Sequence, residues 1–205
     1  MKVLVACEES QRVANAFRKK GHEAFSCDII DCSGGHPEYH IKKDVLEVIN
    51  DGWDLMIAHP PCTRLCCASN RSRKDHQDET KKAIEFFFAL ANAPIDKICI
   101  ENPIGIMSTI YKKPSQIIQP WQFAIEKEDL TAKSTCLWLK NLPLLIPTNK
   151  VPPEIKYKVF VGKNGRVTRQ TEWYYATRCL PREQRGRIAS KTFNGIANAM
   201  AQQWG

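Results

Sequence analysis

Residues 2–7 open on a lysine and continue as an apolar run led by valines, and two glutamates follow directly. A strand of that kind offers no polar face to water, so it must lie inside a sheet covered on both sides. No other feature constrains the chain as much, because such a sheet needs helices between its strands. The sequence supplies them. Residues 9–20 place Val13, Ala14, Ala16 and Phe17 on one helical face, and Gly21 stands where a left-handed cap is expected. Residues 23–29 read as a second strand ending in Asp28, residues 45–49 as a short helix, and residues 54–58 as a third core strand. Residues 80–91 read as a helix with Ala83, Phe86, Phe87 and Leu90 inward. Residues 97–100 read as a fourth core strand, closed by Glu101-Asn102-Pro103. The fold class expected is therefore α/β, a mostly parallel sheet with helices on both faces.

At 205 residues there is room for one core of this type, and 43% hydrophobic with 25% charged residues is an ordinary balance for a globular chain. The second half is less regular. Residues 114–120 read as a connector, residues 135–140 as another strand, and residues 142–154 as an extended segment punctuated by prolines. Residues 156–175 read as a hairpin turning at Lys163-Asn164-Gly165, and residues 192–204 as a closing helix. No apolar run approaches the roughly 18 residues of a membrane span, so no membrane partner is expected. The start lacks the features of a secretory leader, and a cytoplasmic location is expected. The formal charge of +8 suits a polyanion such as DNA without naming it. Nine cysteines, an odd number with several inside apolar runs, favour free thiols over a disulfide framework.

In parallel sheets, ligands sit outside the carboxyl ends of the strands. The residues there are Cys7-Glu8-Glu9-Ser10, Asp28, His59-Pro60-Pro61-Cys62 and Glu101-Asn102-Pro103. Cys62 lies in a loop stiffened by two prolines; it is either a held nucleophile or a structural cysteine. Cys66 and Cys67 read as packing residues. Glu101 follows directly on Ile98-Cys99-Ile100, where partial desolvation raises a carboxyl pKa and suits it to sharing a proton. A helix-start cap or an exposed ion pair is the other reading. Asp28 suits a ribose hydroxyl, whereas Asp44, after Lys42 and Lys43, is equally a surface ion pair. Cys27, Cys32, His36 and His40 hint at zinc, but the middle interval is far shorter than that of a finger, so no metal is expected. No glycine-rich phosphate loop is present.

Taken in order, these features resemble the catalytic half of the cytosine-C5 DNA methyltransferases: a first strand and turn, an acid after the second strand, Lys43-Asp44-Val45, Pro60-Pro61-Cys62, then Glu101-Asn102-Pro103. The resemblance covers roughly residues 1–140, and residues 192–204 resemble the helix that closes the cofactor pocket. Ala6-Cys7-Glu8-Glu9-Ser10, Gly35-His36-Pro37-Glu38, Gln119-Pro120-Trp121-Gln122-Phe123 and Thr135-Cys136-Leu137-Trp138-Leu139-Lys140 are similar to small phage-type proteins grouped with those enzymes.

The resemblance implies a Rossmann-like methyltransferase sheet, S-adenosyl-L-methionine as cofactor and cytosine-containing DNA, duplex or single-stranded, as partner. It implies that Cys62 adds to C6 of the cytosine while Glu101 holds ring N3 and the exocyclic amine, on a base flipped out or already unpaired. Asp28 would take the cofactor ribose, Ile29 would lie against the adenine, and Asp44 would meet the adenine amine, with Val45 and Pro60 alongside. The turn containing Cys7, Glu8 and Ser10 would face the methionine end. On the substrate side the resemblance implies Pro61, Asn102, Lys133 and Thr135, the last two where the family has paired arginines. Two departures stand out. The first turn has no glycine and carries two acids that should repel a carboxylate. The large target-reading domain is replaced by residues 146–175, a small basic insertion in which Lys156, Lys158, Lys163, Arg166 and Arg169 alternate with aromatic residues. That stretch suits backbone contacts and base stacking, or is a solvated hairpin. The other readings are methylation of a free cytosine nucleotide, or an idle relative that binds nucleic acid or a host protein.

Overall fold

The computed structural model describes every residue except Lys163, and only the backbone of Arg182 and Glu183. Strands β1 (Lys2–Ala6), β2 (Glu23–Asp28), β3 (His40–Lys42), β4 (Leu55–Ala58) and β5 (Lys97–Pro103) run parallel. With β6 (Gln116–Ile118) and β7 (Thr135–Lys140) they form one sheet in the order β3-β2-β1-β4-β5-β7-β6, and β7 is antiparallel to both neighbours. This is the mostly parallel sheet expected from the run at residues 2–7, and its strand order is Rossmann-like. That run alternates between two cores. Val3 and Val5 pack with α1 (Arg12–Lys19), while Leu4 and Ala6 face the layer built on α2 (Gln77–Ala91). All four side chains are fully buried, as a two-sided strand demands.

The stop signals work as the sequence suggests. Gly21 adopts φ +85°, the left-handed conformation that ends α1. Val13, Ala14, Ala16 and Phe17 are buried, and the last helix, α6 (Asn194–Trp204), packs beside them. Of the inward set expected on α2, Phe87 and Leu90 are buried, and Phe86 is only half-buried.

Three boundaries differ from the sequence reading. β5 does not stop at Ile100 but carries Glu101, Asn102 and Pro103 within it, because β7 continues to pair there: Glu101 opposes Leu137, Asn102 opposes Cys136, and Pro103 opposes Thr135. The connector at 114–120 contains β6, too short to show a period. The hairpin β8 (Tyr157–Val161) and β9 (Val167–Thr171) ends at Thr171, and Trp173-Tyr174-Tyr175 lie in helix α4 (Glu172–Arg178) instead of a strand. The Thr171 hydroxyl accepts from the Tyr174 amide, so a helix cap overrides aromatic strand preference. The expected turn residue Lys163 lies outside the described residues. Two further helices, α3 (Met107–Ile110) and α5 (Arg182–Ser190), lead into the rim of the sheet.

The chain reverses its winding between β1 and β4, with β2 and β3 on one side and β5 on the other. A crevice at that switch point is where such a sheet binds ligands. Among the described residues no helix is long and apolar enough to cross a membrane.

Candidate active site

A cavity of about 990 Å³ opens at the switch point. Its walls come from the turn after β1 (Cys7, Glu8, Glu9, Ser10), the end of β2 (Cys27 to Ile30), Lys43 to Val45, the loop after β4 (His59, Pro61, Cys62, Thr63), Phe86, the second half of α5 and Lys191 and Thr192 after it. Most residues expected to hold a cofactor therefore share one cavity: Cys7, Glu8, Ser10, Asp28, Ile29, Asp44 and Val45 all line it, as do Pro61 and Cys62. Pro60, Glu101, Asn102, Lys133 and Thr135 stand outside its wall.

The glycine-free first turn solves its backbone problem by strain. Cys7 and Gln11 both adopt left-handed φ values, +59° and +56°, where a glycine would be unstrained. Glu8 is turned inward. Its Oε1 accepts from the Val13 amide at 2.7 Å and its Oε2 from the Ala14 amide at 3.2 Å, and the Ser10 hydroxyl donates to it at 3.4 Å. The carboxylate thus satisfies the orphan amides at the start of α1, a position the helix dipole favours. Burial nonetheless pushes its pKa up. Glu9 faces Lys191 at 4.0 Å. The bare double acid expected at the methionine end is therefore absent: one carboxylate belongs to a helix start and the other has a cation beside it. Gln11 grips the His36 backbone twice, donating to its carbonyl at 2.8 Å and accepting from its amide at 3.1 Å.

Asp28 ends β2 half-buried, its pKa pushed up chiefly by burial, with the exposed Ile29 next to it. Asp44 caps the turn at Val45–Glu47, accepting from the Leu46 amide at 3.0 Å, and Lys42 pairs instead with Asp31 at 2.8 Å. An acid for ribose hydroxyls and apolar surface for a planar base thus lie within one cavity. These residues fit a nucleoside-bearing cofactor. Among the described residues no cluster of three or more His, Cys, Asp or Glu side chains could hold a metal ion. His40 is engaged with the Ser26 hydroxyl and the Ile30 carbonyl.

The loop carrying Cys62 is locked to the strand carrying Glu101. Asn102 donates to the Pro60 carbonyl at 2.8 Å, the Cys67 amide donates to the Ile104 carbonyl at 3.1 Å, and the Ile106 amide donates to the Leu65 carbonyl at 2.9 Å. Gly105 lies so close to Leu65 that a Cβ there would strike the Leu65 carbonyl oxygen. Asn102 thus grips the proline loop instead of facing the cavity. Thr135 is likewise buried, its hydroxyl donating to the Lys133 carbonyl at 3.1 Å. The Lys133 ammonium donates to the Ala189 carbonyl at 2.9 Å, and its charge reaches Glu101, His59 and Cys62.

At the strand ends, one register step beyond the pair Ala58–Ile100, His59 Nδ1 and Glu101 Oε2 are 2.9 Å apart. Burial alone would push Glu101 up and His59 down. Their mutual hydrogen bond and opposite charges outweigh it, so Glu101 falls below its ordinary value and His59 rises above its own. Cys62 is exposed, and the hydrogen bond of its thiol to Cys66, followed by burial of the sulfur and the nearby Glu101 charge, pushes its pKa up. Cys66 moves the other way, to about 5, because the Cys62 thiol, the Ser69 hydroxyl and the amides of Ala68 and Ser69 all favour its thiolate. The two sulfurs are neighbours whose protons are linked, each shift arising chiefly from the other sulfur. Sequence reasoning assigned Cys66 to packing and gave His59 no role. The i, i+4 spacing of the cysteines was the available signal for the first, and the place of His59 directly after a core strand was the signal for the second.

No family model matches the chain, and no curated protein matches it. Among solved structures, a prophage-encoded protein of E. coli provisionally described as a DNA modification methyltransferase aligns with a TM-score of 0.46 and 16% identity, over 73% of this chain and 51% of that one. The chain spans about half the length of that protein. What the site can do rests on its own side chains.

Proposed function

We propose that the chain methylates cytosine at C5 in DNA, with S-adenosyl-L-methionine as methyl donor. The observation that carries this reading is an exposed thiol, Cys62, in the loop after β4, near enough to the buried carboxylate of Glu101 on the adjacent β5 to feel its charge, beside a nucleoside-sized cavity. Carbon 5 of cytosine is a poor nucleophile until its aromaticity is broken. A thiolate adding to C6 breaks it and places electron density on C5 and N3. The Cys62 proton passes to the Cys66 thiolate as the sulfur–C6 bond forms. Glu101 accepts the hydrogen bond of the exocyclic amine, and a proton passed through its carboxyl group to N3 neutralises the charge that develops there. Lys133, with its charge directed at both groups, offsets the accumulating negative charge.

When bound, S-adenosyl-L-methionine supplies the electrophilic methyl group. Asp28 would take its ribose hydroxyls and Ile29 its adenine face, with Asp44 and Val45 at the adenine edge and the Cys7–Ser10 turn at the methionine end. The β8–β9 hairpin, in residues 146–175, stands in place of a target-reading domain. Its exposed Arg166 and Arg169 suit phosphates, and Tyr157 and Phe160 suit unstacked bases. The base must leave the stack to reach Cys62.

The test is a trap. With S-adenosyl-L-methionine and an oligonucleotide carrying 5-fluorocytosine, wild-type protein is expected to give a denaturant-resistant protein–DNA species, and a folded Cys62→Ala variant none. Survival of the adduct in Cys62→Ala, or its absence from wild-type protein that binds the DNA, overturns the reading. Turnover of dCMP that DNA does not improve would move the substrate to the free nucleotide.

A further inference from the structure

His59 is buried with only 9% of its side chain exposed, yet it is half-satisfied. Nδ1 is held by Glu101, whereas Nε2 is buried and has no hydrogen-bond partner among the described residues. A histidine kept only for packing normally has both ring nitrogens paired. His59 also lines the cavity that Cys62 lines, and Glu101 does not. The charges that face the imidazole are Glu101 from β5, Glu8 from the turn after β1, and Lys133 from the segment before β7. Two acids thus hold a proton on the ring and one cation opposes them. The proximity of Glu8 gives that residue a second consequence beyond capping α1.

We propose that His59 and Glu101 are one acid–base unit sharing a proton, with His59 the positioning residue that sets which protonation state Glu101 presents to a pyrimidine ring. The proposal rests on the methyltransferase reading for its substrate, but the pair itself is a property of the protein alone. In the resting state the ring is an imidazolium, protonated on both nitrogens, with Nδ1–H donating to the Glu101 carboxylate. As the Cys62 sulfur gives its proton to Cys66 and bonds to C6, the electron pair of the C5–C6 double bond moves through the ring toward N3. A proton moves from Nδ1 to the carboxyl group and a carboxyl proton moves to N3. The unit is left as neutral imidazole and carboxylate, the ring gains one proton, and the reverse addition restores both. A carboxylate alone could accept the hydrogen bond of the amine but could not deliver this proton. The imidazole is its reservoir.

Two measurements test the proposal. In the first, the five histidines are followed by NMR titration, with His59→Asn assigning the resonance. The His59 pKa is expected above that of free imidazole in the wild-type protein and at least tenfold lower in proton affinity in Glu101→Gln. Glu101→Asp, which keeps a shifted carboxylate, serves if Glu101→Gln does not fold and is expected to lower it less. In the second, the rate of the 5-fluorocytosine adduct is followed against pH. Asn can still donate to Glu101 but carries no titrating proton, so His59→Asn is expected to slow the adduct roughly 100-fold. DNA affinity should be unchanged, and the alkaline fall in rate should be lost. An identical His59 titration with and without the Glu101 carboxylate overturns the proposal, as does a wild-type pH profile in His59→Asn. If wild-type protein forms no adduct at all, the methyltransferase reading fails and the titration alone decides whether the pair exists.

Discussion

His59 and Glu101 have about a tenth of each side chain exposed; His59 directly follows β4 and Glu101 lies within β5, whereas every residue of β8 is exposed. The first region is anchored from several directions: β4 pairs with β5, β5 with β7, and Asn102, Ile104 and Leu65 tie the intervening loop to the strand. The second is a two-stranded ribbon with no further sheet partner among the described residues, packed mainly on α4. A reacting pair needs its groups held within fractions of an ångström, which only a buried scaffold provides. A surface for a charged, irregular polymer needs exposed cations and rings, which a buried scaffold cannot offer. On the proposed function, the two demands are met in separate regions of the molecule.

The largest break in this comparison is expected from Gly105→Ala. The new Cβ would push against the Leu65 carbonyl oxygen and separate the Cys62 loop from β5. About 1–3 kcal/mol of stability should be lost, as for other overpacked sites, with adduct formation falling further than stability accounts for. Denaturant titration and the trap, run on the same protein, measure the two together. A smaller and different effect is expected from Arg166→Glu with Arg169→Glu. DNA retention should weaken across all sequences, with the melting temperature unchanged. The salt dependence should flatten by about one unit of slope for each phosphate that the hairpin no longer neutralises. Binding measured at several salt concentrations checks this, and an unchanged slope would remove the hairpin from the DNA surface. The smallest effect is that of Phe160→Ala. Its ring lies 5.6 Å from that of Tyr175 and is 37% exposed, so the stability change should stay within about 0.5 kcal/mol. A destabilisation comparable to that of Gly105→Ala would mean that the ribbon has a core of its own.

Much of the sheet could be read from residue order. The run at 2–7, the Gly21 stop and the strand at 135–140 matched the structure because each is a local signal: apolar continuity, a left-handed glycine, and a short apolar run bounded by Thr135 and Lys140. The misread elements were those where local signals were weak or competed. β3 and β6 have three residues each, below any readable period. At 172–175 three aromatics favour a strand, but Thr171 caps a helix. α5 has no continuous apolar face to announce it.

The site divides in the same way. Cys62 and Glu101 could be nominated because a reactive residue just past a parallel strand is a one-dimensional pattern, and composition and order alone determined that such a rim existed. Three features depended on the folded chain: Glu8 facing inward to α1, Cys66 beside Cys62, and His59 bonded to Glu101 from 42 residues away. The first two are conformations of a single turn or loop that residue spacing permits but does not fix, and the third arises only where two strands meet. A side chain's ionisation is set by its neighbours in space, and those were chosen by the packing of the sheet.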